Sequence, residues 1–236
     1  MISLKKKLDI MGLSCYEEQI IMFEKYMEGI LSWNEKVNLT AIIDRSEFID
    51  KHFVDSLVAA EREELKNATS IIDVGTGAGF PGIPLAIIFP EKKFTLMDSL
   101  GKRLKIIEEL CNDIGIRNVN LIHARAEDLA NNKNHRETYD ICVSRAVANL
   151  STLSEYCLPF VKKGGYFLAY KGRDAEEEVA AAKNAIRILG GNLQDVYLSK
   201  LISSDYDHKI LFIKKENNTP SKYPRKAGTP SKEPLK

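Results

Sequence analysis

The segment with the clearest chemical potential runs from Asp73 to Gly82 and reads DVGTGAGFPG. Its first two residues end a short apolar run, Ile71–Val74. Its last two residues begin an apolar stretch, Pro81–Phe89, that has the length of a helix. Glycines at such a junction let the backbone turn sharply and let a ligand approach it closely. Asp98 ends the next apolar run, where a carboxylate can accept both ribose hydroxyls of a nucleotide. The pattern predicts a nucleotide-type ligand at this junction.

Two ligand classes fit the glycine-rich segment: a dinucleotide and S-adenosyl-L-methionine (SAM). Asp73 favours SAM, because a carboxylate beside the loop suits a cationic ligand. It would repel a pyrophosphate, which requires unpaired N–H groups at a helix N-terminus. No Gly-Lys-Ser/Thr sequence follows the glycines, which argues against a phosphate-binding P-loop. We therefore expect SAM as the cofactor, held at Gly75, Gly77 and Asp98.

A further candidate contact, Ala126-Glu127, follows the third predicted strand, Val119–Ile122. In a doubly wound fold the loop after this strand lies at the adenine edge of the ligand. Backbone N–H groups at Ala126 and Glu127 can meet that edge. The placement supports SAM and adds both residues to the predicted cofactor contacts.

Four cations stand near the predicted carboxyl ends of four strands: Lys102, Arg125, Arg145 and Lys171. In an open α/β sheet those ends form one crevice, so we expect the four residues to line one rim. A guanidinium at Arg145 can hydrogen-bond the edge of a base or stack on it. The other three can hold RNA phosphates. The four residues are therefore the predicted catalytic and RNA-contacting set.

Hydrophobic periodicity indicates the elements that position these residues. Residues 1–66 have apolar residues at the spacings of three and four that are typical of helices. The first stripe is Ile20, Phe23, Met27, Ile30 and Leu31. A second helix is expected to begin near Ser46, with Phe48, Phe53, Leu57 and Val58 facing inward. From Ser70 onward short strands alternate with helices, which predicts a mostly parallel sheet covered on both faces. The predicted fold is α/β, of the Rossmann-like class I SAM-dependent methyltransferase type, with an N-terminal helical extension.

The strand and helix predictions follow the chain in order. Strands are expected at Ile71–Val74, Phe94–Met97, Val119–Ile122, Tyr139–Val143 and Gly165–Tyr170, with a closing antiparallel pair at Val196–Leu201 and Lys209–Ile213. Helices are expected at Pro81–Phe89, Gly101–Ile114, about Val147–Leu158 and Ala175–Leu189. We divide the chain into a helical extension (1–66), a SAM-binding domain (67–215) and a basic tail (216–236).

Composition bounds the function. The chain has 236 residues, of which 44% are hydrophobic and 28% charged, and its net charge is +1, so it is neither wholly disordered nor uniformly cationic. The four cysteines form no C-x-x-C pair, which favours buried reduced thiols over a metal site. The longest strongly apolar run, Ile83–Phe89, is too short to span a bilayer. We expect a cytoplasmic protein without a metal.

The tail is rich in proline, lysine and serine, and we expect it to pack poorly by itself. Its cations are Lys222, Arg225, Lys226, Lys232 and Lys236. The functional interpretation is a mobile basic arm that folds onto RNA. The alternative is a solubilising terminus.

The assembled motifs resemble the RsmG (GidB) family, bacterial methyltransferases that form 7-methylguanosine in 16S ribosomal RNA. The matching stretches are Trp33-Asn34, Asn38–Thr40, His52–Leu57, Asp73–Gly82, Asp98-Ser99, Lys102-Arg103, Ser144–Ala146, Lys171-Gly172 and Tyr223–Pro230. The resemblance implies cofactor contacts at Gly75 and Phe80, adenine-side contacts at Ala126-Glu127, and an active-site arginine at Arg145. Arg145 then acts either as guanine reader or on the cofactor side.

The sequence also limits the acceptor atom. The (Asp/Asn)-Pro-Pro-aromatic loop typical of adenine-amine methylation is replaced by Ser144–Val147, and no cysteine follows a proline, as a pyrimidine C5 nucleophile often does. Guanine N7 needs neither device, because its lone pair is available and it has no proton to lose. The expected mechanism is direct displacement, to which the protein contributes position and electrostatics.

Expected partners are 16S ribosomal RNA or the small ribosomal subunit, with no DNA or membrane, and the expected state is a monomer. Three alternatives remain open at this point. One is a SAM-dependent methyltransferase with a protein or small-molecule acceptor. The second is a non-catalytic ribosome-assembly factor that binds RNA, and the third is an NAD-dependent oxidoreductase.

Overall fold

The computed structural model describes residues 1–172, 174–198 and 208–236. Within these residues one seven-stranded sheet forms the centre of the molecule. Its strands are β1 (Ser70–Val74), β2 (Lys93–Asp98), β3 (Val119–His123), β4 (Tyr139–Arg145), β5 (Val161–Lys171), β6 (Gly191–Leu198) and β7 (Lys209–Lys215). Their order is β3-β2-β1-β4-β5-β7-β6.

The first five strands are parallel, and β7 is antiparallel to both β5 and β6. The order reverses at β1, which pairs with β2 on one side and β4 on the other. In open α/β sheets ligands bind outside the carboxyl ends of the strands at such a switch point. The predicted α/β fold with its mostly parallel sheet and closing antiparallel pair is confirmed.

Helices cover both faces of the sheet. They are α1 (Ile2–Ile10), α2 (Glu17–Asn34), α3 (Arg45–Phe48), α4 (Asp55–Leu57), α5 (Glu63–Lys66), α6 (Gly82–Ile88), α7 (Gly101–Ile114), α8 (Ala126–Leu129), α9 (Leu150–Cys157), α10 (Ala175–Ile188) and α11 (Thr229–Lys232). A π-helical turn, Ile49–Val54, joins α3 to α4, and 3₁₀ turns lie at Val58–Glu61 and Leu158–Phe160. No helix in the described ranges is long and apolar enough to cross a membrane.

The N-terminal helices and one face of the sheet share a single hydrophobic core. The apolar stripe of α2 is buried through Phe23, Met27 and Ile30, and this helix packs on α6 and α7. The four predicted inward residues of the next helical stretch, Phe48, Phe53, Leu57 and Val58, are also buried. Helical spacing predicted these buried positions because the stripe must face the core.

Element boundaries follow local sequence signals where these are strong. The amphipathic α7 has the predicted bounds, and Gly115 ends it in the left-handed conformation (φ +90°) that glycine adopts without strain. The predicted strand Val196–Leu201 is shifted, because β6 begins at Gly191; residues 199–201 of that prediction lie outside the described residues.

The prediction of a poorly packed tail is wrong. Tyr223 and Pro230 are buried, and Tyr223 joins the core on the α9–α10 face of the sheet. The guanidinium of Arg136 donates to the carbonyls of Thr219 and Tyr223, at 2.8 Å each. The tail is held by side chains from distant parts of the chain, so its own composition does not reveal its packing.

Candidate functional site

A cleft of about 600 Å³ opens beyond the carboxyl ends of β1, β2 and β3. Its volume suits a nucleotide-sized ligand. Its lining comes from Val74, Gly75, Met97, Asp98, Ser99, Leu100, Arg103, Ala124, Arg125, Ala126, Glu127, Ala146, Val147, Tyr156, Gly228 and Ser231. Predicted residues from three separate loops thus meet at one site.

The glycine loop needs its glycines for two different reasons. Gly75 has φ +73°, and a Cβ at this position would stand 2.5 Å from Cγ2 of Val147. Gly77 has φ +62°, but a Cβ there would meet no atom within 4 Å. Backbone conformation therefore restricts both positions, whereas packing restricts only Gly75. The close approach leaves backbone, rather than side chain, facing the cleft at Gly75.

Asp98 is oriented before any ligand arrives. Its Oδ2 accepts a hydrogen bond from the Gly77 N–H at 2.9 Å, and its Oδ1 accepts one from the Leu100 N–H at 2.8 Å. The side chain is buried, yet it lines the cleft. Each carboxylate oxygen has a second lone pair, so Asp98 can still accept hydroxyl donors. This geometry suits the predicted ribose contact.

Asp73 lies beneath the loop, and the cleft lining does not include it. Its Oδ2 accepts from the Thr76 hydroxyl at 2.7 Å and from the Gly82 N–H at 2.9 Å, while Oδ1 has no hydrogen-bond partner among the residues that the structure describes. Burial raises the pKa of the Asp73 carboxyl to about 7, although both hydrogen bonds act to lower it. Asp73 shapes the loop from below, which corrects the expectation that its carboxylate faces a cationic ligand.

The loop after β3 contributes Ala126 and Glu127, both buried and both in the cleft lining. The Oε1 atom of Glu127 accepts a hydrogen bond from the N–H of Gly228 at 2.8 Å. Ala126 and Glu127 therefore lie in the cleft, and their contact with adenine stays a prediction. The Glu127 carboxylate is held by the C-terminal tail, which no local pattern indicated.

Arg145 ends β4 but points away from the cleft. Its Nη1 donates to Asp55 Oδ2 at 2.7 Å and to the Lys51 carbonyl at 3.0 Å. Its Nη2 lies 3.2 Å from His52 Nδ1, which must accept because a guanidinium only donates. We call Arg145, Asp55, His52, Phe80 and His208 the arginine cluster. The structure does not bring Arg145 to the cofactor cleft.

His52 is neutral in this cluster. Burial lowers the pKa of its imidazole to about 3, and the positive charge of Arg145 lowers it further, against the opposing effect of Asp55. With Nδ1 accepting from Arg145, Nε2 carries the proton and donates to Thr40 Oγ1 at 2.7 Å. His52 thereby connects a loop of the N-terminal extension to β4.

Phe80 stacks on the His52 ring, with centroids 4.4 Å apart and planes 4° apart. The Arg145 guanidinium lies 5.4 Å from the Phe80 centroid, within cation–π range. The Phe80 ring packs with Phe48 and Tyr26 in the core and lies outside the cleft lining. The Phe80 ring therefore does not face the cleft, and the cofactor contact that the resemblance implies at this residue stays a prediction.

Asp55 is the buried anion of the cluster. Its two oxygens engage different partners, because Oδ2 accepts from Arg145 and Oδ1 lies 2.7 Å from His208 Nδ1. Burial alone would raise the pKa of this carboxyl, but His208 and Arg145 outweigh burial and hold the pKa below its usual value. Asp55 is therefore ionised, whereas burial makes the Asp73 carboxyl harder to ionise.

The predicted rim of four cations needs correction. Lys171 is 8% exposed, and its Nζ donates to the Ala148 carbonyl and to Glu178, both at 2.7 Å. Arg125 is exposed and lines the cleft, and Lys102 is exposed on the first turn of α7. Lys171 and Arg145 are committed to internal partners. Arg125 and Lys102 keep the exposure that a phosphate contact requires.

Several residues of the arginine cluster and the cleft were not predicted from the sequence. The His52-x-x-Asp55 spacing puts both side chains on one face of a helix, and this signal could have linked them to a strand-end arginine. Ala146 has φ +56°, a backbone conformation that non-glycine residues rarely adopt. No sequence signal indicated that Gly228 and Ser231 of the tail line the cleft.

Comparisons with known proteins give a consistent result. The family model described as rRNA small subunit methyltransferase G matches residues 19–203. A protein of Alkaliphilus metalliredigens, named ribosomal RNA small subunit methyltransferase G, is 48% identical over 233 residues, covering 99% of this chain and 98% of its own. One of Clostridium kluyveri with the same name is 50% identical over 226 residues, covering 96% and 94%.

Solved structures show the same fold at low identity. An O-methyltransferase from Bacillus cereus in complex with SAH has a TM-score of 0.55 at 15% identity, covering 80% of this chain and 90% of that one. The Methanococcus jannaschii fibrillarin pre-rRNA processing protein has a TM-score of 0.53 at 17% identity, covering 68% and 74%. These likenesses concern the fold alone.

Proposed function

The chain belongs to the family of ribosomal RNA small subunit methyltransferase G, and we propose that it transfers the methyl group of SAM to guanine N7 in small-subunit (16S) ribosomal RNA. The observation that carries the proposal is near-full-length similarity to relatives of that name, combined with a cleft at the switch point of the sheet. The acceptor atom is the one that the resemblance to this family implies, and the chemistry of the chain's own residues supports it.

The cleft residues fit SAM. A side chain at Gly75 would collide with Val147, so backbone faces the cleft there, and Asp98 presents a fixed carboxylate for hydroxyl donors. Ala126 and Glu127 supply backbone and carboxylate at the opposite end. Bound SAM supplies an electrophilic methyl group on a sulfonium centre. The chain holds it by the loop, Asp98 and the Ala126-Glu127 pair.

Guanine N7 is supported as the acceptor because its methylation needs no cysteine nucleophile and no removal of a proton. Methylation of a pyrimidine C5 needs an accessible cysteine nucleophile, but Cys111, Cys142 and Cys157 are buried and Cys15 lies in the N-terminal extension. Burial raises the pKa of the Cys111 thiol to about 12, which further suppresses a thiolate. N7 has a free lone pair and loses no proton, so position and electrostatics suffice.

RNA is the proposed substrate, and the exposed cations beside the cleft supply the first contacts. Arg125 at the cleft and Lys102 on α7 can each approach a phosphate, because neither is buried. We further propose that the protein acts as a monomer in the cytoplasm, where small ribosomal subunits are available.

The experiment is transfer of tritiated methyl groups from SAM to small ribosomal subunits of a strain that lacks this protein, followed by nucleoside analysis. We expect label in 7-methylguanosine, and none with subunits of the parent strain, whose site is already methylated. Label in another nucleoside would overturn the N7 assignment. SAM binding without label in RNA would point to a protein or small-molecule acceptor, or to a non-catalytic assembly factor.

A further inference from the structure

The C-terminal strap, which we define as residues 222–233, passes over the cofactor cleft. Gly228 and Ser231 lie in the cleft lining beside Glu127 and Tyr156. Gly228 and Ser231 are about a hundred positions from Glu127 in sequence, and Gly228 donates its N–H to the Glu127 carboxylate. The strap therefore forms one wall of the site that the strand-end loops leave open.

The strap is anchored on α9 by an ion pair between half-buried Arg225 and buried Glu155. Arg225 Nη2 donates to Glu155 Oε2 at 2.7 Å, and Arg225 Nε donates to Glu155 Oε1 at 3.0 Å. The backbone N–H of Arg225 also donates to Glu155 Oε1 at 2.8 Å. Glu155 is fully buried, so this bidentate pair is the partner that compensates its charge.

Further contacts set the course of the strap on both sides of this anchor. Arg225 Nη2 donates to the Glu233 carbonyl at 2.8 Å, which closes the strap on itself. The Thr152 hydroxyl donates to the Pro230 carbonyl at 3.0 Å, and Pro230 is buried. Between these anchors lies Gly228, with φ +85° and its N–H directed at Glu127. The position of the cleft wall thus depends on anchors that do not line the cleft.

We propose that the strap is a structural part of the SAM site and that Arg225 is a positioning residue for SAM binding. This inference rests on the proposed function. Arg225 does not line the cleft; it acts through Glu155 to hold Gly228 and Ser231 against the adenine-side pair. With the strap in place, Glu127 is oriented and water is kept from that side of the cleft. Without it, the Ala126-Glu127 end of the site is open to solvent.

The first test compares three variants by calorimetric titration with SAM. Arg225→Ala is expected to weaken SAM binding about tenfold or more, because the anchor of the wall is lost. Arg225→Lys should recover part of that loss, since an ammonium keeps the charge but not the bidentate geometry. Lys226→Ala, which removes the neighbouring exposed cation, is the matched control and should change SAM affinity less than about twofold.

Kinetics separate positioning from general damage. For Arg225→Lys we expect a raised KM for SAM and a kcat close to that of the unaltered protein at saturating SAM, because the reacting atoms are not touched. Equal SAM affinity in Arg225→Ala and Lys226→Ala would overturn the proposal. A fall in kcat with unchanged KM for SAM would overturn it as well.

A second measurement needs no variant and decides the matter if Arg225→Ala fails to fold. Amide hydrogen exchange of the unaltered protein is followed with and without saturating SAM. We expect SAM to slow exchange in residues 75–82 and also in 222–233, with strand β6 as the unaffected reference. Protection of 75–82 without protection of 222–233 would overturn the strap proposal alone. Protection of neither segment would mean that SAM does not bind, and the proposed function would then fail too.

Discussion

Two regions lie at the carboxyl edge of the sheet, and they differ in whether their polar side chains are available to a ligand or paired with each other. In the cofactor cleft, beyond β1, β2 and β3, Asp98 keeps free lone pairs and Arg125 stays exposed. In the arginine cluster, beyond β4, Arg145 and Asp55 are paired with each other. Residues at equivalent strand ends therefore have different roles, and what covers each strand end decides between them.

The cover of the cluster is the N-terminal extension. The Tyr170 hydroxyl at the end of β5 donates to the Ser56 carbonyl at 2.8 Å, and Arg145 reaches Lys51 and Asp55 on the same stretch. The strained turn at Ala146 divides the two regions, since Arg145 before it joins the cluster and Val147 after it lines the cleft. Backbone strain of this kind is kept where surrounding structure enforces it.

The largest expected effect is a loss of stability, which should be large for a substitution in the arginine cluster and small for one in the cleft. Arg145→Ala leaves the buried Asp55 carboxylate with one partner fewer, and we expect it to lower the free energy of unfolding by about 3–5 kcal/mol. Arg103→Ala, which removes an arginine 4.0 Å from Asp98 at the cleft, is the control and should cost less than about 1 kcal/mol. Urea unfolding measures both values.

A stable Arg145→Ala protein that binds SAM but does not methylate would break the comparison. Arg145 would then act as the guanine reader, which is one of the two roles that the resemblance implies for it, and the arginine cluster would be a second functional surface rather than a contact between the N-terminal helices and the sheet. Loss of stability together with SAM binding retained at low temperature would support the structural role.

The next effect is a pH dependence of opposite sign in the two buried aspartates. The pKa of Asp73 is about 7 in the folded protein, above the unfolded value, so the folded state binds more protons between these values. Its contribution to stability is fully present below the unfolded pKa and is lost as pH rises through about 7. The lowered pKa of Asp55 gives a contribution that is present at neutral pH and is lost in acid.

Asp73→Asn isolates the first of these terms. Relative to the unaltered protein, we expect the variant to gain stability between pH 5 and pH 8, by on the order of 2–3 kcal/mol. Thermal unfolding at several pH values measures the difference. Asp55→Asn is expected to lose stability relative to the unaltered protein only as the pH rises through the acid range, and to keep a constant difference between pH 5 and pH 8. A pH-independent difference for Asp73→Asn would show that its carboxyl is ionised throughout.

A smaller effect concerns the cleft alone. Gly75→Ala puts a Cβ against Val147 in addition to the strain of positive φ, so we expect SAM affinity to fall about tenfold to thirtyfold. Gly77→Ala has the strain without the collision and should lose less. Adding Val147→Ala to Gly75→Ala should restore part of the affinity. No difference between the two glycine variants would remove the packing argument, and calorimetry of SAM binding decides.

The smallest effect is expected at an exposed cation, Lys102, and the paired Lys171 provides the contrast. Lys102→Gln should leave stability unchanged and raise the KM for ribosomal subunits about twofold, with a salt dependence weaker by about one phosphate contact. Lys171→Gln should instead lower stability by about 2–3 kcal/mol, because Glu178 and the Ala148 carbonyl lose their buried donor. The reverse pattern would restore Lys171 to the predicted RNA-binding rim.

Local pattern was sufficient for much of the fold and for part of the site. The apolar stripe and terminal glycine of α7 determine its bounds, and Asp98 could be placed because the ends of parallel strands share one edge. Ala126 and Glu127 followed from the same rule. These features depend on residues close in sequence or on the regular geometry of a doubly wound sheet.

The misplaced residues share a different property. Arg145 pairs with Asp55 across 90 positions of sequence, and Arg225 pairs with Glu155 across 70. Whether a cation is free for a ligand or paired inside the protein depends on which distant carboxylate folding brings within hydrogen-bond distance. Sequence spacing carries no measure of that distance, so the tail was predicted to be mobile and Arg145 to be accessible.

The sequence by itself determined the order of strands and helices, the glycine loop and the acidic residue that faces it, because these follow from periodicity and backbone freedom along neighbouring residues. Only the tertiary structure decided which strand-end cations remain exposed and that a strap from the C-terminal tail completes the cleft. Desolvation is the physical reason: a buried charge must be compensated by whatever partner the packed chain delivers, however remote in sequence.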